Sequence, residues 1–228
     1  MFKIIKSNHP EHDTFFVSDL HFGHDREFIY GKRNFKSLYE HDSALIHRWN
    51  ETCSQNSVVF NLGDFIFNDA LGERFVNICR RLSFGTMYLL AGNHTSGHKK
   101  IYTEALKAKY PDAIKEGRVE CEIYPLEYLI DNNPNKKIIF LPQYAEAKIG
   151  GKDLVLCHYP IISHNNQSGD SYMLCGHSHG SCEFTNIKTG SGYRLDVGIE
   201  SFGKPINFID IKQFFNQRKQ TSFDHHGL

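Results

Sequence analysis

The sequence predicts an α/β protein built from two packed sheets, and three observations carry that reading. Short β-branched or aromatic runs alternate with helical patterns through the first half, as in a parallel sheet covered by helices. In the second half, strand-like runs follow one another with few helices between, which predicts a more antiparallel second sheet. The stretch from Tyr144 to Leu156 reads as a hairpin turned at Gly150-Gly151.

In chain order, the first expected strand is the apolar run Thr14–Ser18. A helix follows from about Ser37 to Thr52, because Leu38, Leu45, Ile46 and Trp49 fall on one stripe. Ser57–Leu62 is the next strand, and a helix over about Asn68 to Leu82 turns Phe75, Ile78, Cys79 and Leu82 inward. Thr86–Ala91 is a strand, with a third helix expected near Lys99–Lys109. Strands then follow at Lys137–Leu141, Asp153–Cys157, Tyr172–Cys175 and Tyr193–Val197. The tail, about 219–228, is expected to be disordered and contains His225 and His226. No repeat, low-complexity tract or Pro/Gly-rich linker intervenes, so a single domain over 1–228 is expected.

Composition narrows the function classes. Lys plus Arg total 26 and Asp plus Glu total 26, so no global charge points to long nucleic acid, a membrane surface or an acidic partner. The N-terminus, MFKIIKSNHPEHD, has no long apolar region, and no run approaches a membrane span. Six cysteines, at 53, 79, 121, 157, 175 and 182, include no Cys-x-x-Cys pair and read as reduced thiols of a cytoplasmic chain. The unusual count is 14 histidines, several of them near acids. Histidine at neutral pH binds metals and moves protons.

Those histidines fall at the ends of strands. Thr14–Ser18 runs into Asp19-Leu20-His21, and Ser57–Leu62 into Gly63-Asp64. Thr86–Ala91 runs into Gly92-Asn93-His94, Asp153–Cys157 into His158, and Tyr172–Cys175 into Gly176-His177-Ser178-His179. Five strands thus deliver Asp, Asn or His at their carboxyl ends, where open α/β sheets place their sites. The donors suit Mn²⁺, Fe, Zn²⁺ or Ni²⁺, and are too many for one tetrahedral ion, so two ions sharing a carboxylate are expected. A zinc knot within Cys175–Cys182 is the competing reading, but its spacing is cramped and no second cysteine pair completes it.

The ordered set Asp-x-His, Gly-Asp, Gly-Asn-His, His and Gly-His-x-His resembles the calcineurin-like metallophosphoesterase superfamily. The surroundings FVSDLHFGH, HRWN, NLGDF, LCHYP, CGHSHG and LDVGIE look like its small single-domain members in bacteria and their phages. The resemblance implies a four-layer α/β/β/α sandwich. It also implies one metal held by Asp19, His21, Asp64 and His179, and a second held by Asp64, Asn93, His158 and His177. Asp64 would bridge them. Many members carry Asp or Glu directly after Gly-Asn-His, whereas this chain has Thr95.

The implied activity is hydrolysis of a small phosphodiester or phosphomonoester, such as a nucleotide or cyclic nucleotide, by a hydroxide bridging two divalent ions, Mn²⁺ first. His94 is expected at the leaving oxygen, with Asp64 as the central bridge. His24 at the rim and Arg33 as a bidentate clamp are further candidates for binding phosphate, with Asn93 and His94. His164 is a weaker candidate for the pocket wall. The alternatives are a binding scaffold that kept the fold without catalysis and a nuclease acting on short nucleic acid.

Overall fold

Three strands of the first half and one of the second lie side by side and parallel, each apolar on both faces. The computed structural model describes residues 4–6, 10–67, 73–94, 123–125, 136–188, 190 and 192–219. Its elements are β1 (Ile4–Lys6), β2 (Thr14–Val17), α1 (Glu27–Tyr30), α2 (Leu38–Thr52), β3 (Val58–Asn61) and α3 (Glu73–Arg81). Then come β4 (Thr86–Leu90), β5 (Ile123–Pro125), β6 (Lys137–Leu141), β7 (Tyr144–Ile149), β8 (Lys152–Cys157) and β9 (Tyr172–Cys175). The chain continues through β10 (Arg194–Asp196), α4 (Ile199–Phe202), β11 (Ile206–Asn207) and α5 (Phe208–Asn216).

The first sheet has the order β11-β2-β3-β4-β6-β5 and the second the order β1-β7-β8-β9-β10. In the first, β2, β3, β4 and β6 are parallel and the edges β11 and β5 antiparallel. Phe15, Val17, Val59, Met87 and Leu89 pack toward Leu45, Ile46 and Trp49 of α2 and Phe75, Ile78 and Cys79 of α3. The alternate residues Phe16, Phe60, Tyr88 and Leu90 meet Ala145, Ala147, Leu154, Leu156, Tyr172 and Leu174 of the second sheet. Burial on both faces explains why these strands are near-continuously hydrophobic. Trp49 is fully buried, its indole N–H donating to the Ser83 carbonyl at 2.8 Å. Ser37 caps α2 by accepting from the Glu40 N–H.

The two-sheet α/β architecture is as predicted, and so is the hairpin, with β7 and β8 antiparallel around Gly150-Gly151. The expectation of a mainly antiparallel second sheet is corrected. Only β7–β8 runs antiparallel there, while β1–β7, β8–β9 and β9–β10 are parallel. The segments joining β8 to β9 and β9 to β10 are long enough for each strand to return in the same direction. They do so through loops rather than helices, which is why the pattern looked antiparallel. The outer apolar cluster of this sheet, Val155, Cys157, Met173 and Cys175, is closed by Tyr144, Tyr159 and Ile161, with no described helix in it.

The helix expected over Asn68–Leu82 is described from Glu73. Residues 99–109, and 220–228 with His225 and His226, lie outside the described residues. Among those described, Cys53, Cys157, Cys175 and Cys182 are free thiols, and no helix is long and apolar enough to cross a membrane.

Candidate metal centre

The site forms where parallel strands end. β2 leads into Asp19 and His21, β3 into Asp64, β4 into Asn93 and His94, β8 into His158, and β9 into His177 and His179. Backbone bonds tie these ends together: Asp19 N–H donates to the Gly63 carbonyl at 3.1 Å, His21 N–H to the Asp64 carbonyl at 2.9 Å, and Gly176 N–H to the His158 carbonyl at 3.0 Å.

The turns after β2, β3 and β9 are sharp. Asp19, His21, Asp64, His177 and His179 have φ of 58°, 52°, 50°, 67° and 49°. They are five of the eight non-glycine residues at positive φ among the described residues. That region costs about 1–3 kcal/mol per residue and persists only where the surroundings enforce it, typically at functional sites. Two glycines let backbone approach the carboxylates. A Cβ on Gly92 would stand 2.1 Å from Asp64 Oδ1, and one on Gly176 would stand 2.5 Å from Asp19 Oδ2. The Gly-Asn-His turn is therefore shaped around Asp64, which also accepts the His94 N–H at 3.0 Å.

Two clusters of ligand atoms result. Asp19, His21 and His179 offer one set within 4.8 Å of one another, and Asp19, Asp64 and His158 offer another. Asp64 Oδ2 lies 3.7 Å from His21 Nε2 and 3.5 Å from His158 Nε2, between a histidine of each cluster. Asp19 belongs to both, which the sequence did not indicate. His158 Nδ1 donates to the Leu62 carbonyl at 2.9 Å, and burial pushes the ring's pKa down, so the neutral ring presents its Nε2 lone pair inward. Nε2 lies within hydrogen-bond distance of Asn93 Oδ1, at 2.8 Å. His177 Nδ1 reaches the same Asn93 oxygen at 2.9 Å; its ring is exposed and meets that of His158 at 5.1 Å, and its backbone N–H donates to Asp19 Oδ2 at 2.9 Å.

On the other side, His179 Nδ1 donates to Glu200 Oε1 at 2.6 Å, leaving Nε2 as its free lone pair. This hydrogen bond raises the His179 pKa despite its burial. Burial raises Glu200, but the His179 bond and the Arg33 guanidinium prevail and hold it below the usual carboxylate range. Burial pushes Asp19 up to about 8, and burial together with the Arg33 charge pushes His21 down to about 2. Asp19 Oδ1 and His21 Nε2 are buried without a hydrogen-bond partner.

Two substrate contacts expected from the sequence are corrected. Arg33 is no phosphate clamp, because its donors are already engaged. Nε bonds Glu200 Oε1 at 2.9 Å, Nη2 the Asp19 carbonyl at 2.6 Å, and Nη1 the Leu20 carbonyl at 3.0 Å and His41 Nε2 at 2.8 Å. Its side chain is 7% exposed, too enclosed to reach a ligand. His24 is buried rather than at the rim, stacked on Phe67 at 3.6 Å, and burial lowers its pKa to about 4. It is therefore a neutral wall residue. The His94 ring stands at the exposed mouth, 5.4 Å from that of His21 and 5.2 Å from that of Phe67. His164 is buried in the loop after β8, its N–H donating to Gln167 Oε1 at 3.4 Å. Thr95 lies outside the described residues.

Neither Glu200 nor Asp196 stands out in the sequence, although both lie in the LDVGIE stretch that carries part of the resemblance. Asp196 is fully buried and braces the Gly-His-Ser-His turn, accepting from Ser178 Oγ, from Gly180 N–H at 2.9 Å and from Gly198 N–H at 2.7 Å.

Fold and site together define a two-sheet α/β protein with a buried cluster of carboxylate and imidazole ligands. No family model matches the chain. It is 22% identical over 215 residues to the Gene 66 protein of Mycobacterium phage L5, covering 90% of this chain and 94% of that protein. It is 29% identical over 80 residues to an uncharacterized protein of Methanocaldococcus jannaschii, a stretch that is 35% of this chain and only 45% of the archaeal one. A crystal structure of a protein of unknown function from Aquifex aeolicus matches with a TM-score of 0.53 and 18% identity, over 88% of this chain and 97% of that one. That likeness shows a shared fold.

Proposed function

We propose that this protein is a dinuclear metal-dependent phosphoesterase acting on a small phosphate ester. The observation that carries the reading is a set of metal-ligating side-chain atoms turned toward one another at the strand ends. Asp19 Oδ1 and His21 Nε2 are buried without a hydrogen-bond partner, and His158 Nε2 lies 2.8 Å from Asn93 Oδ1 and 3.5 Å from Asp64 Oδ2. Leaving a buried polar atom unsatisfied costs about 1–3 kcal/mol, which a cation would offset. Carboxylate, imidazole and amide oxygen suit Mn²⁺ first, then Fe, Ni²⁺ or Zn²⁺.

Asp19, His21, Asp64 and His179 would hold one ion, and Asp64, Asn93, His158 and His177 the other. Bound ions of this kind supply a low-pKa water and neutralise charge on phosphoryl oxygens. The chain does the orienting. Glu200 and the Leu62 carbonyl each fix one ring nitrogen of a ligand histidine, so the other faces inward. His24 and Phe67 form a wall against water, and His94 at the mouth donates a hydrogen bond or proton to the leaving oxygen.

The test is elemental analysis of Mn²⁺-reconstituted protein beside hydrolysis of one monoester and one diester. Two ions per chain and chelator-sensitive hydrolysis are expected. At most one ion per chain, or hydrolysis indifferent to chelation, overturns the reading; metal uptake without hydrolysis of any ester would instead mark a scaffold.

A further inference from the structure

Beside the candidate centre lies a cleft of about 890 Å³, with His177, His179 and Glu200 on one wall and Phe28, Ile29 and Lys32 on the other. That volume is large for a phosphate alone and matches sites for whole organic ligands. Phe28 is 59% exposed, and of the large apolar side chains most exposed among the described residues it is the one that lines this cleft. It is not loose. Its ring meets that of His24 in a T-shaped contact at 5.6 Å, His24 stacks on Phe67, and the Phe67 ring meets that of His94. An aromatic row thus runs from the mouth of the candidate centre to Phe28, most of whose side chain stays open. Lys32, four residues on, forms no ion pair with any described residue, so its charge is available to an anion in the cleft.

We propose that Phe28 is a stacking platform and Lys32 a steering charge, so that the substrate is a phosphate ester carrying a planar aromatic ring, a nucleoside phosphate. This rests on the phosphoesterase reading and names its substrate class. An aromatic face accepts any base, so selectivity for base-bearing over base-free esters is expected, with little preference among bases. A free nucleotide and the end of a short strand present the same chemistry to the platform.

The experiment compares adenosine monophosphate with ribose phosphate on Mn²⁺-loaded full-length protein, for wild type, Phe28→Ala and Phe28→Tyr. The wild-type kcat/KM ratio should favour the nucleotide by roughly 5- to 150-fold, the range of one stacking contact. Phe28→Ala should collapse that ratio toward one and Phe28→Tyr should keep it. Equal kcat/KM for both esters in wild type, or a ratio untouched by Phe28→Ala, overturns the proposal. A dinucleotide arm separates the sources: faster turnover than the mononucleotide assigns the platform to a strand end, slower turnover to a free nucleotide. If wild type hydrolyses neither monoester nor the dinucleotide, the phosphoesterase reading falls, and calorimetric binding decides the platform separately. Tighter binding of the nucleotide that Phe28→Ala abolishes supports it, and equal binding of the two overturns it.

Discussion

Glu200→Gln tests whether the groups behind the ligands matter as much as the ligands. Glu200 touches neither proposed ion directly. Its Oε1 accepts from His179 Nδ1 at 2.6 Å and from Arg33 Nε at 2.9 Å, and the carboxylate is only 23% exposed. The amide keeps an acceptor of the same shape but removes the charge that makes these bonds strong and the imidazole a good ligand. Changing such an outer partner costs roughly 10- to 100-fold in metal affinity, or about 1.4–2.7 kcal/mol. Calorimetric titration with Mn²⁺ should show one of two sites weakened by that factor and the other near wild type, because His158 and Asn93 do not contact Glu200. Glu200→Asp, which keeps the charge, should recover part of the loss. The reasoning fails if both sites titrate as in wild type. It also fails if both weaken equally while the thermal midpoint of metal-depleted protein drops, since that would mark general loosening of the Arg33 network.

Other outcomes follow from the same geometry. Asp64→Asn should lower activity more than any other ligand change, because this carboxylate lies between His21 and His158; near-normal turnover in excess Mn²⁺ would contradict the bridging role. Asn93→Ala should weaken metal uptake, with partial rescue by added metal, whereas His94→Ala should keep the metal and lower kcat by about 10²–10⁴-fold. Loss of metal from His94→Ala, by elemental analysis, would sink that division of labour. Gly92→Ala alters no ligand atom, yet its Cβ would crowd Asp64 Oδ1 and the Asp64 backbone nitrogen at 2.6 Å. It should cost about 1–3 kcal/mol in denaturant unfolding together with metal affinity, and an unchanged midpoint would show that the turn yields freely.

By itself the sequence determined the α/β class, the four parallel strands of the first sheet, the β7–β8 hairpin and the order in which polar residues leave the strands. These are local properties: periodicity within a run and the residue types just beyond it. It did not reveal β1, β5 or β11, because edge strands of two or three residues carry no periodic pattern. It misread the direction of the second sheet because a loop crossover looks like a hairpin connection along the chain. Only the tertiary structure decided what each polar residue faces. Arg33 and Glu200 are 167 positions apart, and nothing near either one announces their pairing. His24 and His94 carry the same side chain, but Phe67 seals one into a wall while the other stands at the mouth. A residue's type is written in the chain, whereas its burial and its partners are set by how the two sheets bring distant strand ends onto one edge.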